Sequence, residues 1–169
     1  TDSGTFDYFT EAVNGKAKSS RGDFTASEDD NVLVQGVLNN QHALAYFGYA
    51  YYAANSNKLK ALKVINSAGQ AVGPSESAVL DGSYNPFSRP LFIYVNVDSL
   101  KKPEVQGFVD FYLNNAAKLV KEVKYVPLSN NAYQTDKEHL KNLKIGTVFN
   151  GEAKVGLKVE DLQKLEAKQ

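Results

Sequence analysis

The chain has 169 residues, 43% of them hydrophobic and 22% charged, and its nineteen basic and nineteen acidic side chains cancel to a formal net charge of zero. That composition is enough to close a globular core and excludes disordered and collagen-like classes, while the charge balance denies the chain the broad positive field that draws nucleic acid. Cysteine and methionine are both absent, so disulfides, thiolate metal sites and a cysteine nucleophile are excluded, and no apolar run approaches the roughly 20 residues that cross a bilayer.

In chain order, Asp2 or Ser3 can cap a helix in which Phe6, Phe9 and Val13 recur at helical spacing until Asn14-Gly15, so a helix is expected from Ser3-Gly4-Thr5. Lys16 to Thr25 is polar and reads as a loop. Ser27-Glu28-Asp29-Asp30 forms a capping pattern ahead of Val32, Leu33 and Val37, which predicts a second helix ending near Asn39-Asn40. Ala43-Leu44-Ala45-Tyr46-Phe47 suits a short buried strand, and the alanine-rich Tyr49 to Asn55 a helix. Leu59 to Ile65 reads as a strand that turns at Ser67-Ala68-Gly69-Gln70.

After Gly73-Pro74 the segment Ser75 to Leu80 is a short capped helix, and the proline-bearing loop Asp81 to Pro90 is the expected crossover between lobes. Leu91-Phe92-Ile93-Tyr94-Val95 reads as a central strand, and Pro103 stands at the start of a long amphipathic helix through about Val120. Residues 129–143 are expected to be mostly helical, Ile145 to Val155 strand-like, and Val159 to Lys168 helical. Helices alternating with short apolar runs make an α/β class the expectation.

The first five residues carry the chemistry. Ser3-Gly4-Thr5 at a helix start gathers two hydroxyls and several unpaired backbone N–H groups around one point, where the helix dipole favours an anion and glycine admits a close approach. The alternative is a helix cap and nothing more. Metal binding by Ser27-Glu28-Asp29-Asp30-Asn31 is disfavoured, because capping explains the acids and an EF-hand's length and glycine are missing. Ser3 is not expected to be a nucleophile: His42 and His139 are the only histidines and no Gly-x-Ser-x-Gly elbow occurs. No cofactor is implied.

Taken together, Asp2-Ser3-Gly4-Thr5-Phe6-Asp7-Tyr8-Phe9, Ser27-Glu28-Asp29-Asp30-Asn31 and Ala43 to Tyr51 resemble the phosphate-binding proteins of phosphate ABC transporters. The likeness continues through the Asn66-Ser67-Ala68-Gly69-Gln70 turn, Asn85-Pro86-Phe87-Ser88-Arg89-Pro90, Lys101-Lys102-Pro103-Glu104 and Tyr125-Val126-Pro127-Leu128. The resemblance implies a type II periplasmic binding-protein fold, with residues 1–84 as the second lobe, incomplete at its N-terminus, 85–90 as the crossover and 91–169 as the C-terminal return segment of the first lobe. It further implies that about half of the family's chain precedes Thr1, so the chain, without a methionine to start it, is expected to be a cleavage product or a fragment. A missing N-terminal half, as a separate chain or lost segment, is then one expected partner.

Carried over residue by residue, the resemblance makes Ser3, Gly4 and Thr5 donors to inorganic phosphate. The family's arginine upstream of Ser-Gly-Thr falls before Thr1, so Arg21 is the candidate cation, against the alternative of a solvated loop arginine paired with Asp23. Arg89 is expected to hold loop carbonyls or an acidic neighbour, with bracing the hinge or facing the cleft as the functional alternative. The implied function is high-affinity phosphate binding for ABC-transporter uptake, without catalysis, in a periplasmic or extracellular setting that includes membrane association, with the transporter permease as partner and no nucleic acid. Binding of another oxyanion such as sulfate, and a non-transport interaction protein that keeps the fold, remain the alternatives.

Overall fold

The computed structural model describes residues 2–149 and 154–166. The chain divides into two units, Thr1–Ser88 and Arg89–Gln169, and helices are the main regular elements of each.

In the first unit, helix α1 (Gly4–Asn14) begins at the Ser3 cap and stops at Gly15, whose φ of 73° lets its N–H turn back to the Glu11 carbonyl. Helix α2 (Asp30–Leu38) is capped by the Asp29 carboxylate on the Asn31 N–H. Helix α3 (Tyr49–Ala54) packs against α2. Helix α4 (Glu76–Leu80) takes Ser75 as its cap, through the Ala78 N–H. Each cap satisfies a donor that helix geometry leaves without a carbonyl four residues back. The sequence-based helices therefore stand almost as read.

The only sheet among the described residues is a hairpin, β1 (Val64–Ile65) and β2 (Ala71–Val72), with Val64 opposite Val72 and Ile65 opposite Ala71. Its turn is held by backbone bonds from the Asn66 N–H to the Gln70 carbonyl and from the Gly69 N–H to the Asn66 carbonyl, both at 2.9 Å, and by the Asn66 side chain. Asn66 Oδ1 accepts from the N–H groups of Ala68 and Gln70, both at 3.0 Å, while its Nδ2 donates to the Ser83 carbonyl at 3.1 Å. The strand expected over Leu59 to Ile65 thus shrinks to two residues.

The strand expected at Ala43-Leu44-Ala45-Tyr46-Phe47 is absent: the segment lies in no ladder, and Leu44 is 80% exposed. Its apolar content serves side-chain packing instead. Tyr46 stacks on Phe9 of α1 at 3.8 Å between ring centroids, and Phe87 lies on Phe9 at 5.2 Å, with Tyr84 tilted beside Phe87. Tyr8 Oη donates to the Pro86 carbonyl at 2.7 Å. Residues 84–87, far along the chain from α1, are thereby packed against it. Val34, Ala50 and Ala78 complete the buried apolar set of this unit.

In the second unit, a 3₁₀ turn at Ser99–Lys101 leads into α5 (Pro103–Glu122), with proline in the first turn where its missing N–H costs nothing. Helix α6 (Asn130–Lys141), capped by Ser129 through the Ala132 N–H, packs on α5. Helix α7 (Val159–Glu166) follows. Val109, Ala116, Ala132, Val148 and Leu162 are buried.

The central strand expected at Leu91-Phe92-Ile93-Tyr94-Val95 does not form. Leu91, Phe92, Ile93 and Tyr94 expose 62, 43, 49 and 78% of their surface, and with no neighbouring strand to accept their backbone groups the segment has no ladder to join. Ile145 to Val155 likewise shows no strand at 145–149 or 154–155, and residues 150–153 lie outside the described residues. The end of the helix expected to Lys168 also lies outside them beyond Glu166.

Candidate oxyanion site

The N-terminus of α1 is arranged as the sequence implies. Ser3 keeps an extended backbone, φ −133° and ψ 117°, and its Oγ accepts from the Phe6 N–H at 3.3 Å, while its carbonyl accepts from the Asp7 N–H at 3.0 Å. That leaves the Gly4 and Thr5 N–H groups with no intrahelical acceptor and the Ser3 hydroxyl with its proton still to donate. Neutral donors and the positive end of the α1 dipole thus face outward from one point. Just upstream, the Asp2 N–H donates to Glu28 Oε1 at 3.0 Å, which ties the entry to α1 to the segment preceding α2.

One turn further along α1, Thr10 is the buried polar residue of this unit, 3% exposed. Its Oγ1 lies 2.8 Å from the Phe6 carbonyl and 3.1 Å from that of Asp7, either of which can take its proton, and it accepts from the Lys18 N–H at 2.7 Å. Lys18 there adopts φ 64°, a left-handed conformation uncommon for a side chain of its kind. The clip turns the Lys18 side chain toward the first turns of α1, where Nζ lies 3.8 Å from Asp7 Oδ2. Asp7 Oδ1 is sealed from solvent with no hydrogen-bond partner among the described residues. The loop closes at Phe24, whose ring stacks on Phe6 at 5.9 Å.

Arg21 takes the alternative role weighed for it. Its Nε donates to Asp23 Oδ1 at 2.7 Å and a terminal nitrogen donates to Oδ2, a bidentate pair fully in solvent. The fork raises the arginine further above its ordinary range and holds the Asp23 carboxyl below its own.

The acidic cluster is explained by the second helix. Asp29 caps α2, and the Asp30 carboxyl is pushed up by burial first and by the neighbouring Asp29 charge second. Among the described residues no three His, Asp or Glu side chains gather as a metal site. None of the helices among them is long and apolar enough to cross a membrane.

The profile of the PBP superfamily domain matches residues 1–116, and the chain belongs to that superfamily. Its relatives are more particular. Protein SphX of Synechococcus elongatus is 53% identical over 166 residues, 98% of this chain and 49% of that protein. The phosphate-binding protein PstS of Staphylococcus saprophyticus is 37% identical over 143 residues, 83% of this chain and 43% of its own. The crystal structure of "a possible phosphate binding protein" from Planctomyces limnophilus superposes with a TM-score of 0.68 at 48% identity, covering 86% of this chain and 52% of that one. The type II periplasmic binding-protein fold implied by the sequence is the fold of this chain. The chain spans about half the length of the relatives it matches.

Proposed function

We propose that this chain contributes the second-lobe half of an inorganic phosphate site in a binding protein that feeds an ABC transporter. The observation that carries the reading is the Ser3-Gly4-Thr5 start of α1, within a superfamily-matched segment whose relatives include proteins named for phosphate binding. Phosphate would accept from the Ser3 hydroxyl, the Gly4 N–H and the Thr5 N–H or hydroxyl. Such donors match an oxyanion without bringing a compensating charge, so the ligand is recognised by geometry more than by field. The event is capture, not catalysis: two lobes close on the anion and the closed form is read by a membrane permease. Residues 1–84 serve as the second lobe, 85–90 as the crossover and 91–169 as the segment returning to the first lobe. The setting is extracytoplasmic.

Calorimetry with phosphate, arsenate and sulfate tests the proposal. Heat with phosphate, displaced by arsenate and abolished by Ser3→Ala, is the expected result. A preference for sulfate would replace phosphate with another oxyanion, and no uptake of any of the three at millimolar concentration would point to an interaction protein that keeps the fold.

A further inference from the structure

We propose that Asn14-Gly15, where α1 ends, is a site of spontaneous backbone modification, and that the helix cap is its gate: Asn14 deamidates when the last turn opens. The inference stands apart from the phosphate reading. Glycine after asparagine favours the reaction, because no Cβ hinders the approach of its backbone nitrogen to the asparagine side chain. Hydroxide takes the Gly15 N–H proton, the nitrogen attacks Asn14 Cγ, and the Cγ–Nδ2 bond breaks, with Nδ2 leaving as ammonia once water has returned a proton to it. Water then opens the cyclic imide at either carbonyl, giving aspartate or, with the backbone rerouted through Cγ, isoaspartate. Water and hydroxide are the sole co-reactants.

Both reacting groups are engaged in the folded chain. The Gly15 N–H donates to the Glu11 carbonyl at 2.8 Å, and Asn14 Nδ2 donates to the Ser19 carbonyl. Closing the five-membered ring eclipses Cβ with the Gly15 nitrogen about the Asn14 Cα–C bond, far from the helical ψ of about −42°. The loop that supplies the Ser19 carbonyl is itself tied back to α1, by the Lys18 N–H on Thr10 Oγ1 at 2.7 Å. Packing sets no further bar: Asn14 and Gly15 are exposed, and nothing lies within 4 Å of the position a Gly15 Cβ would take. The hydrogen bonds of the cap are therefore what hold the reaction back. Once it occurs, the cap is lost. Aspartate at position 14 turns an acceptor toward the Ser19 carbonyl where a donor stood and sets a negative charge at the negative end of the α1 dipole, while isoaspartate lengthens the backbone by one methylene.

The experiment holds the whole chain in warm, mildly alkaline buffer, folded and in concentrated urea, and follows the Asn14 peptide by mass mapping for exchange of NH for O and for isoaspartate. The other Asn-Gly pair of the sequence, Asn150-Gly151, falls on a different peptide and is scored separately. Asn14 is expected to convert in urea as fast as it does in a short peptide of the same sequence, and at least about tenfold more slowly in the folded chain. Thr10→Val, which releases the loop, should speed conversion in the folded chain about threefold or more. Should Thr10→Val fail to fold, urea below the unfolding midpoint decides: conversion of Asn14 should rise in step with hydrogen exchange at the Gly15 amide. Asn14→Asp, which mimics one product, should lower the thermal midpoint. Equal rates in the folded chain and in urea overturn the gate, and no conversion at Asn14 in urea overturns the site. An Asn14→Asp chain as stable as the unaltered one overturns the loss of the cap.

Discussion

Replacing Thr10 by valine removes one oxygen and keeps the shape. In the folded chain that oxygen satisfies the Lys18 N–H at 2.7 Å and holds a residue at φ 64°. A left-handed backbone costs a non-glycine residue about 1–2 kcal/mol, and a shielded donor left without an acceptor costs about 1–3 kcal/mol. The loop can recover part of this by relaxing Lys18 into an ordinary conformation with its N–H in water, so Thr10→Val should destabilise the chain by about 1–2 kcal/mol. Thr10→Ser, which keeps the oxygen, should lose less. Urea denaturation followed by far-ultraviolet circular dichroism gives the free energies, and hydrogen exchange at the Lys18 amide gives the mechanism: protected in the unaltered chain and in Thr10→Ser, rapid in Thr10→Val. A Thr10→Val chain with unchanged stability and a still-protected Lys18 amide would refute the clip.

Ser3→Ala removes the α1 cap, and a loss of about 0.5–2 kcal/mol in unfolding free energy is expected together with the loss of phosphate binding; a stable helix that still binds phosphate would detach the serine from both roles. Tyr8→Phe removes the donor to the Pro86 carbonyl and should cost about 0.5–1.5 kcal/mol, read as a lower urea midpoint. Asp30 has its carboxyl raised in the folded state by burial and by Asp29, so folding binds its proton more tightly than the unfolded chain does. Stability from this group is therefore gained as pH falls through the carboxylate range and is lacking at neutral pH. Asp30→Asn should melt higher than the unaltered chain at pH 7, with the advantage gone near pH 3; equal melting curves at pH 7 would contradict it. The segment before Arg89 carries nine acidic and six basic side chains, so added salt should modestly speed phosphate association in stopped flow, and a steep slowing would indicate a basic funnel instead.

Helix limits were legible because their signals are local. Ser3, Asp29, Ser75 and Ser129 each bond a backbone N–H within three residues, and Pro103 fixes its own φ. The strands were not, because a strand is a relation between two segments. Val64–Ile65 and Ala71–Val72 find each other across a five-residue turn, whereas Ala43 to Phe47 and Leu91 to Val95 have the composition of strands and no ladder. Tyr46 shows what composition conceals: a residue suited to a sheet stacks on Phe9 instead. The start of α1 at Ser3-Gly4-Thr5 was legible from its cap, and the resemblance is what proposes a ligand for it. The Thr10–Lys18 hydrogen bond was not legible, since it joins residues eight apart and exists only once the loop has bent back on α1.

The stack of Phe24 on Phe6 has an optical consequence. The chain contains no tryptophan, so it is dark under excitation selective for indole. Phe24 is partly exposed, and its ring rests on the residue next to Thr5. A single Phe24→Trp substitution would place the chain's sole indole one side chain from the proposed anion, its emission changing colour or intensity as the ligand arrives. The ring that closes the loop is thus the natural seat for a fluorescent phosphate sensor.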